Sequence, residues 1–181
     1  MREKDRDLLP YLRFYRYNLG ISPKIWYFHG IMDEIDHRLL RQLQRDCAQS
    51  LDSLAEHVGL SRNACWRRVR QLEEQAIIRR RVALLDPAKV DRGLTVFISV
   101  RTSQHDEKWM AAFDSAVRDL PDIVGAYRTS GETDYILRAR VADMAAYDDL
   151  YRRLAHKVPL SDVSATFVME EIKDTTEIPV G

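Results

Sequence analysis

At 181 residues the chain has room for one ordinary domain or two small ones, and its 45% apolar and 31% charged composition is that of a globular protein rather than a disordered one. No apolar run approaches the roughly 18 residues a membrane span needs, the first thirty residues lack the continuous apolar core of a secretory signal, and two cysteines, Cys47 and Cys65, are too few for the disulfide framework of a small secreted domain. Net charge is zero, which by itself argues against a generic polyanion binder. It is unevenly spread, however: residues 1–85 carry 16 Lys and Arg against 11 Asp and Glu, a net of +5, and residues 86–181 carry 12 against 17, a net of −5.

The expectation is a cytoplasmic protein with no membrane association, its first half facing nucleic acid and its second half doing another job. Residues 1–31 scatter Tyr11, Phe14, Tyr15, Tyr17, Trp26, Tyr27 and Phe28 among the breakers Pro10, Gly20, Pro23 and Gly30. No period persists there, and the stretch reads as an extension, non-native or poorly ordered unless it packs on something. Met32 opens the first well-formed domain. From Asp33, which can cap a helix with Asp36 near its dipole, Ile35, Leu39, Leu40 and Leu43 form the stripe of an amphipathic helix. A second helix is predicted over Leu51–Val58, with Leu51, Leu54, Ala55 and Val58 on one face and Gly59 as its left-handed stop. Ser61 caps a third helix running to about Gln75, with Cys65, Val69, Leu72 and Ala76 as its apolar stripe. Over Ile77–Leu85 the period shortens, and alternation of Ile78, Arg80, Val82 and Leu84 predicts a short strand or ribbon, broken at Asp86-Pro87. Residues 86–93 read as a linker closing at Gly93.

In the second half, Leu94–Arg101 is a β-rich run. Glu107–Leu120 reads as a helix with Trp109, Met110, Phe113 and Val117 inward, stopped by Pro121. Strands over Ile123–Thr129 and Asp134–Val141 flank a turn at Ser130–Thr133. Asp143 caps a helix with Met144, Tyr147, Leu150, Tyr151 and Leu154 inward, and Val163–Ile172 is the last strand. This βαββαβ order predicts a ferredoxin-like antiparallel sheet with both helices on one face. The fold class is α+β: a winged helix-turn-helix over residues 32–85, the linker, and a ferredoxin-like domain over residues 94–181.

Small Ala55 lets the next helix cross closely, Gly59 makes the turn four residues later, and Leu60 and Val69 fill the corner, which is helix-turn-helix logic. At about 100° per residue, Arg62, Asn63, Trp66, Arg67 and Arg70 fall opposite the apolar stripe of the third helix. Such a face can enter the major groove, where Arg pairs bidentately with guanine and Asn with adenine. Ser61 stands at its head, and Arg80 of the Arg79-Arg80-Arg81 run sits where a wing would meet phosphates. An Arg-rich face is often merely solvated; seven Arg against two Glu between Ser61 and Arg81, joined to the Ala-Gly spacing, favours double-stranded DNA.

These residues carry a resemblance. Ile35-Asp36, Leu54-Ala55, Val58-Gly59-Leu60-Ser61, Arg68-Val69, Leu72-Glu73, Ala83-Leu84-Leu85-Asp86-Pro87, Ser130-Gly131-Glu132-Thr133-Asp134-Tyr135 and Met169-Glu170-Glu171-Ile172-Lys173 make Asp33–Pro179 resemble the Lrp/AsnC (leucine-responsive/asparagine, feast/famine) transcription factors. Within that family Asp46-Cys47, Leu160-Ser161-Asp162-Val163 and Thr175-Thr176 are most similar to the cysteine-responsive detoxification activators. Ala64 departs from the Pro that many members carry before the cysteine of the recognition helix, so base preference is not carried over. The resemblance implies a RAM- or ACT-like second domain, and homodimers that pair through their C-terminal sheets and assemble to tetramers or octamers. It also implies an amino-acid effector held between dimers at the turn, with Thr129, Ser130, Gly131, Glu132 and Asp134 as the candidate residues. Asp134 or Glu132 can accept from an ammonium, while hydroxyls and backbone N–H groups near Gly131 can donate to a carboxylate. Read without the resemblance, the same stretch is a plain polar hairpin tip. L-cysteine or another small amino acid is the expected ligand.

No catalytic constellation, metal site or cofactor is expected. His29, His37, His57, His105 and His156 are scattered, with His37 and His57 on exposed helix faces, and the adjacent carboxylates Asp148-Asp149 and Glu170-Glu171 diverge. Neither cysteine has a partner at zinc-site spacing, and no phosphate-loop or nucleophile-elbow pattern occurs. Two alternatives remain at this level: an enzyme of the siroheme-decarboxylase kind on the same architecture, and an architectural DNA-binding protein indifferent to any effector.

Overall fold

Asp33 begins the first helix by closing a reciprocal capping box. Its carboxylate accepts from the backbone of Ile35 and Asp36, and Asp36 accepts in return from the backbone N–H of Asp33. The structure, a computed structural model, describes residues 32–104 and 106–181. The expected extension over residues 1–31 lies outside them, as do His29 and His105. The chain divides into two units, residues 32–81 together with Thr175–Gly181, and Val82–Asp174.

The first unit holds three helices: α1 (Glu34–Arg45), α2 (Leu51–Val58) and α3 (Arg62–Glu74). Ser50 caps α2, and Gly59 ends it in the left-handed conformation at φ +71°. Leu60 N then donates to Ala55 O at 2.9 Å, closing the turn. Ser61 caps α3 through the Ala64 amide. The buried core is Leu39, Leu40, Leu54, Ala55, Val58, Cys65, Val69 and Leu72, so the three helical stripes read from the sequence converge on one another. Burial raises the Cys65 thiol pKa, as expected of a core thiol rather than a reactive one. Ala76 is the exception to the predicted stripe. It lies beyond the helix end, exposed, at φ +57°, where Ala76 N and Ile77 N fold back onto Glu73 O and Leu72 O at 2.9 Å each. His37, expected on an exposed face, is half-buried.

The ribbon expected over Ile77–Leu85 is not a strand: no ladder forms there, and Val82, Leu84 and Leu85 are 52–70% exposed. An alternating pattern favours extended backbone, but a strand needs a neighbour to take its N–H and C=O groups, and no described segment supplies one.

The second unit is a four-stranded antiparallel sheet of β1 (Leu94–Arg101), β2 (Ile123–Arg128), β3 (Tyr135–Val141) and β4 (Asp162–Phe167), in the order β2-β3-β1-β4. Helices α4 (Glu107–Asp119) and α5 (Met144–Lys157) connect them in the ferredoxin-like order. Val96, Ile98 and Val100 of β1 and Leu137, Ala139 and Val141 of β3 share one core with Trp109, Phe113 and Ala116 of α4 and Leu150 and Leu154 of α5. On the opposite sheet face Phe97 stands across from Arg138, with Ile136 and Arg140 on either side of Arg138 along β3. Two inward assignments on α5 fail, since Met144 and Tyr151 are 58% and 38% exposed; they sit at the rim of the stripe, beyond the reach of the sheet. The last strand is also shorter than predicted. Pairing to β1 stops at Val96↔Phe167, with one more bond from Val168 N to Thr95 O. Beyond it Met169 and Ile172 are almost fully exposed and continue no ladder on β1. Among the described residues no helix is long and apolar enough to cross a membrane.

Candidate functional site

Cys65, Val69 and Leu72 bind α3 to the core, and the helical period then turns the predicted reading residues outward. Arg62, Asn63, Trp66, Arg67 and Arg70 are all exposed. Trp66 is 54% exposed, with the Arg70 guanidinium 6.0 Å from its ring centroid, so indole and cation present one surface. Arg62 stands 3.4 Å from Asp52 and Arg70 3.7 Å from Glu74. Both are solvent-exposed pairs of the kind worth little and readily exchanged for phosphate. Arg67 has no ion-pair partner among the described residues. The Ser61 hydroxyl is engaged as the helix cap. Arg80 is exposed on the unpaired stretch after α3.

Arg68, left off the outward face by the helical period but given no role there, has one in the structure. Its Nη1 lies 2.8 Å from Asp36 Oδ1 and its Nη2 2.9 Å from Asp33 Oδ2, so it points inward and anchors α3 to the capped start of α1. These hydrogen bonds, to Asp36 first and then Asp33, raise the pKa of the guanidinium. The signal was available: position 68 is three residues after Cys65 and four before Leu72, on the inner edge of the stripe.

In the sheet unit the Thr129–Asp134 turn joins β2 to β3. Gly131 adopts φ +141° with open space where a Cβ would stand, a backbone that favours glycine. Thr129 Oγ1 donates to Thr133 O at 2.6 Å, and Thr129 N donates to Asp134 O at 2.9 Å. Ser130 is exposed, and Glu132, 94% exposed, stands 3.7 Å from Arg101. Asp134 has an internal task that its place in a polar turn did not reveal. Its Oδ2 accepts from the Thr102 amide at 2.8 Å while its own N–H donates to Val100 O at 3.0 Å. The second carboxylate oxygen has no hydrogen-bond partner among the described residues.

Beside the turn a groove of about 360 Å³ opens between α4 and β2. Met110, Phe113, Val117 and Tyr135 give it an apolar lining, with Asp114 on the helix side and Arg128 on the strand side. Its aromatic floor is fixed, since the Phe113 and Tyr135 ring centroids are 4.5 Å apart and those of Trp109 and Phe113 5.0 Å. Arg128 immediately precedes the turn and Tyr135 follows it.

Among the described residues no group of three or more His, Cys, Asp or Glu is placed to hold a metal ion. The arrangement presents a cationic helix face in one unit, and in the other a polar turn beside an apolar groove.

Comparison with known proteins bears on both units. Residues 32–73 match the AsnC-type helix-turn-helix domain and residues 95–178 the Lrp/AsnC ligand binding domain. The chain is 46% identical over 151 residues to the DNA-binding transcriptional activator DecR of Escherichia coli K12, covering 83% of this chain and 99% of that protein. A crystal structure of an AsnC family transcriptional regulator from Agrobacterium tumefaciens superposes with a TM-score of 0.80 at 49% identity, covering 82% of this chain and 97% of the other. A Neisseria meningitidis transcriptional regulator in an L-Met complex gives 0.78 at 35% identity, covering 82% and 96%.

Proposed function

The chain belongs to the Lrp/AsnC family of transcription regulators, and from that premise we propose that it reads double-stranded DNA through the outer face of α3 and adjusts that binding to an amino acid held at the β2–β3 turn. It is a DNA-binding regulator of amino-acid metabolism and not an enzyme, so the siroheme-decarboxylase reading falls away.

One observation carries the assignment of the reading face. Of four arginines on α3, Arg62, Arg67 and Arg70 face solvent while Arg68 is spent on Asp33 and Asp36, so the helix is held rigidly by one guanidinium and presents the others. In this reading Arg62, Asn63, Arg67 and Arg70 meet base edges or phosphates, Trp66 packs on the sugar-phosphate wall, Ser61 positions the helix start, and Arg80 meets the flanking backbone. Arg67→Ala is expected to weaken binding to a specific operator by roughly 1–3 kcal/mol, about five- to 150-fold, with assembly unchanged. Equal affinities of wild type and variant in a gel-shift titration would refute the face.

For the effector, an α-amino acid with an apolar side chain suits the chemistry of the turn and groove. Thr129, Ser130, Gly131, Glu132 and the free oxygen of Asp134 offer donors and acceptors for the zwitterion, and the Phe113–Tyr135 floor takes the side chain. L-cysteine or another small amino acid remains the proposed ligand. Sheet-to-sheet pairing of two chains, and further assembly to tetramers or octamers, is supported by the apolar Phe97, Ile136 and Tyr127 on the sheet face that carries no helix. Pairing sets two reading helices about one DNA turn apart. A ligand that prefers one assembly shifts the population. The proposed location is the cytoplasm, where DNA and free amino acids meet. The domain boundaries proposed are residues 32–85, 86–93 and 94–181. Thermal stabilisation against the twenty amino acids tests the sensing function. A flat panel, with DNA binding intact, would favour the effector-indifferent architectural protein.

A further inference from the structure

The segment Thr175–Gly181 follows the sheet unit in the chain but packs with the helices. It is held along α1 by groups that read backbone. Gln44 meets Ile178 twice: its Nε2 donates to Ile178 O at 2.9 Å and its Oε1 accepts from Ile178 N at 2.7 Å. Arg41 Nη1 donates to Val180 O at 3.0 Å, and Arg45 stands 4.0 Å from Glu177. Val180 is half-buried against the core that includes Leu39 and Leu40. A side-chain amide that both donates to and accepts from one residue is what a neighbouring strand would offer. The seat therefore selects extended backbone with a single apolar anchor.

We infer that α1 carries a docking surface for an extended segment, that Thr175–Gly181 is its occupant, and that docking gives the DNA-reading unit a second tether. The first tether is the stretch that runs from α3 into β1. A body held by one flexible connection samples many orientations; a second attachment removes most of them and raises the effective concentration of the arrangement that remains. None of the seat's groups belongs to the outer face of α3, so undocking leaves the reading side chains as they were and changes only the freedom of the unit that carries them. Three backbone-directed bonds and one half-buried Val make a hold that can open, and the segment serves as a strap setting how strictly two reading helices keep their spacing on DNA. This inference rests on the pairing of two chains proposed above.

The test compares the full chain, Gln44→Ala, and a chain ending at Asp174. Gln44→Ala removes both bonds to Ile178 without shortening the chain, and so guards against misfolding of the chain ending at Asp174. Each is titrated on a single half-site, on two half-sites at the natural spacing, and on two half-sites moved apart by half a turn, about 5 bp. The full chain should lose roughly tenfold or more in affinity on the lengthened site, and both variants only about two- to threefold, with single half-site affinities alike. Hydrogen exchange at the Ile178 amide should be slow in the full chain and fast in Gln44→Ala. A full chain sensitive to spacing with variants equally sensitive overturns the strap and leaves the pairing standing. A full chain indifferent to spacing overturns both, and a freely exchanging Ile178 amide in the full chain overturns the docking itself.

Discussion

Arg68 reaches from the middle of α3 to the first turn of α1, its Nη1 2.8 Å from Asp36 Oδ1. Asp36 is 8% exposed, so this carboxylate has left most of its water and depends on the guanidinium. Arg68→Ala strands it, at an expected cost of roughly 1–3 kcal/mol. Lys should recover only part of the loss, because a point charge cannot span both Asp33 and Asp36 as the planar fork does. Urea unfolding followed by circular dichroism measures both. An Arg68→Ala midpoint equal to that of wild type would mean the pair contributes nothing.

Acid should find the same place. The Asp33 carboxyl is held below its ordinary value, first by the Asp36 backbone N–H and then by Arg68, and Glu34 is held below its own by Arg41. A lowered folded-state value means stability that is fully present above the unfolded value, near 3.8 for Asp33, and lost as pH falls through the folded one. The helical unit should therefore lose stability below about pH 4, and Asp33→Asn, which still caps the helix, should flatten part of that slope. Melting temperatures taken from neutral pH down to acid would show it; identical slopes would contradict it.

What could be read from the sequence depended on whether the deciding partner was local. Caps and stripes are local, so Asp33, Gly59, Ser61 and Asp143 stand at the helix boundaries where propensity puts them. The outward set on α3 follows from the same period. The alternation over Ile77–Leu85 does signal extended backbone, but pairing is a property of two segments and periodicity sees one. For the same reason Met169 and Ile172 looked like strand residues, although the ladder to β1 ends before them. In the sites, side-chain chemistry shows what Arg68 and Asp134 can do but not which groups already occupy them. The seat of Thr175–Gly181 on α1 joins residues more than 130 positions apart, and neither stretch carries a pattern that announces the other.

Ala76 occupies the left-handed position that usually belongs to glycine at a helix end. At φ +57° its Cβ is strained, while the folded-back bonds from Ala76 and Ile77 to Glu73 and Leu72 require that geometry. Ala76→Gly relieves the strain and should stabilise the helical unit by roughly 0.5–1 kcal/mol, seen as a melting point a few degrees higher. A lower melting point would show that the entropy of the glycine in the unfolded chain outweighs the strain.

Asp134 serves two masters in this reading, and charge separates them. Its Oδ2 satisfies the buried Thr102 amide at 2.8 Å, a task that a neutral carbonyl oxygen performs as well. Accepting from an ammonium at its other oxygen is a task that needs the negative charge. Asp134→Ala should cost roughly 1–2 kcal/mol, because the Thr102 N–H loses its acceptor. Asp134→Asn should restore that stability in unfolding titrations and still leave amino-acid stabilisation weakened, by about tenfold in the concentration required. If Asn restores the amino-acid response along with the stability, Asp134 is a structural clamp alone, and the ammonium must be met elsewhere, with Glu132 at the turn or Asp114 in the groove as the next residues to change.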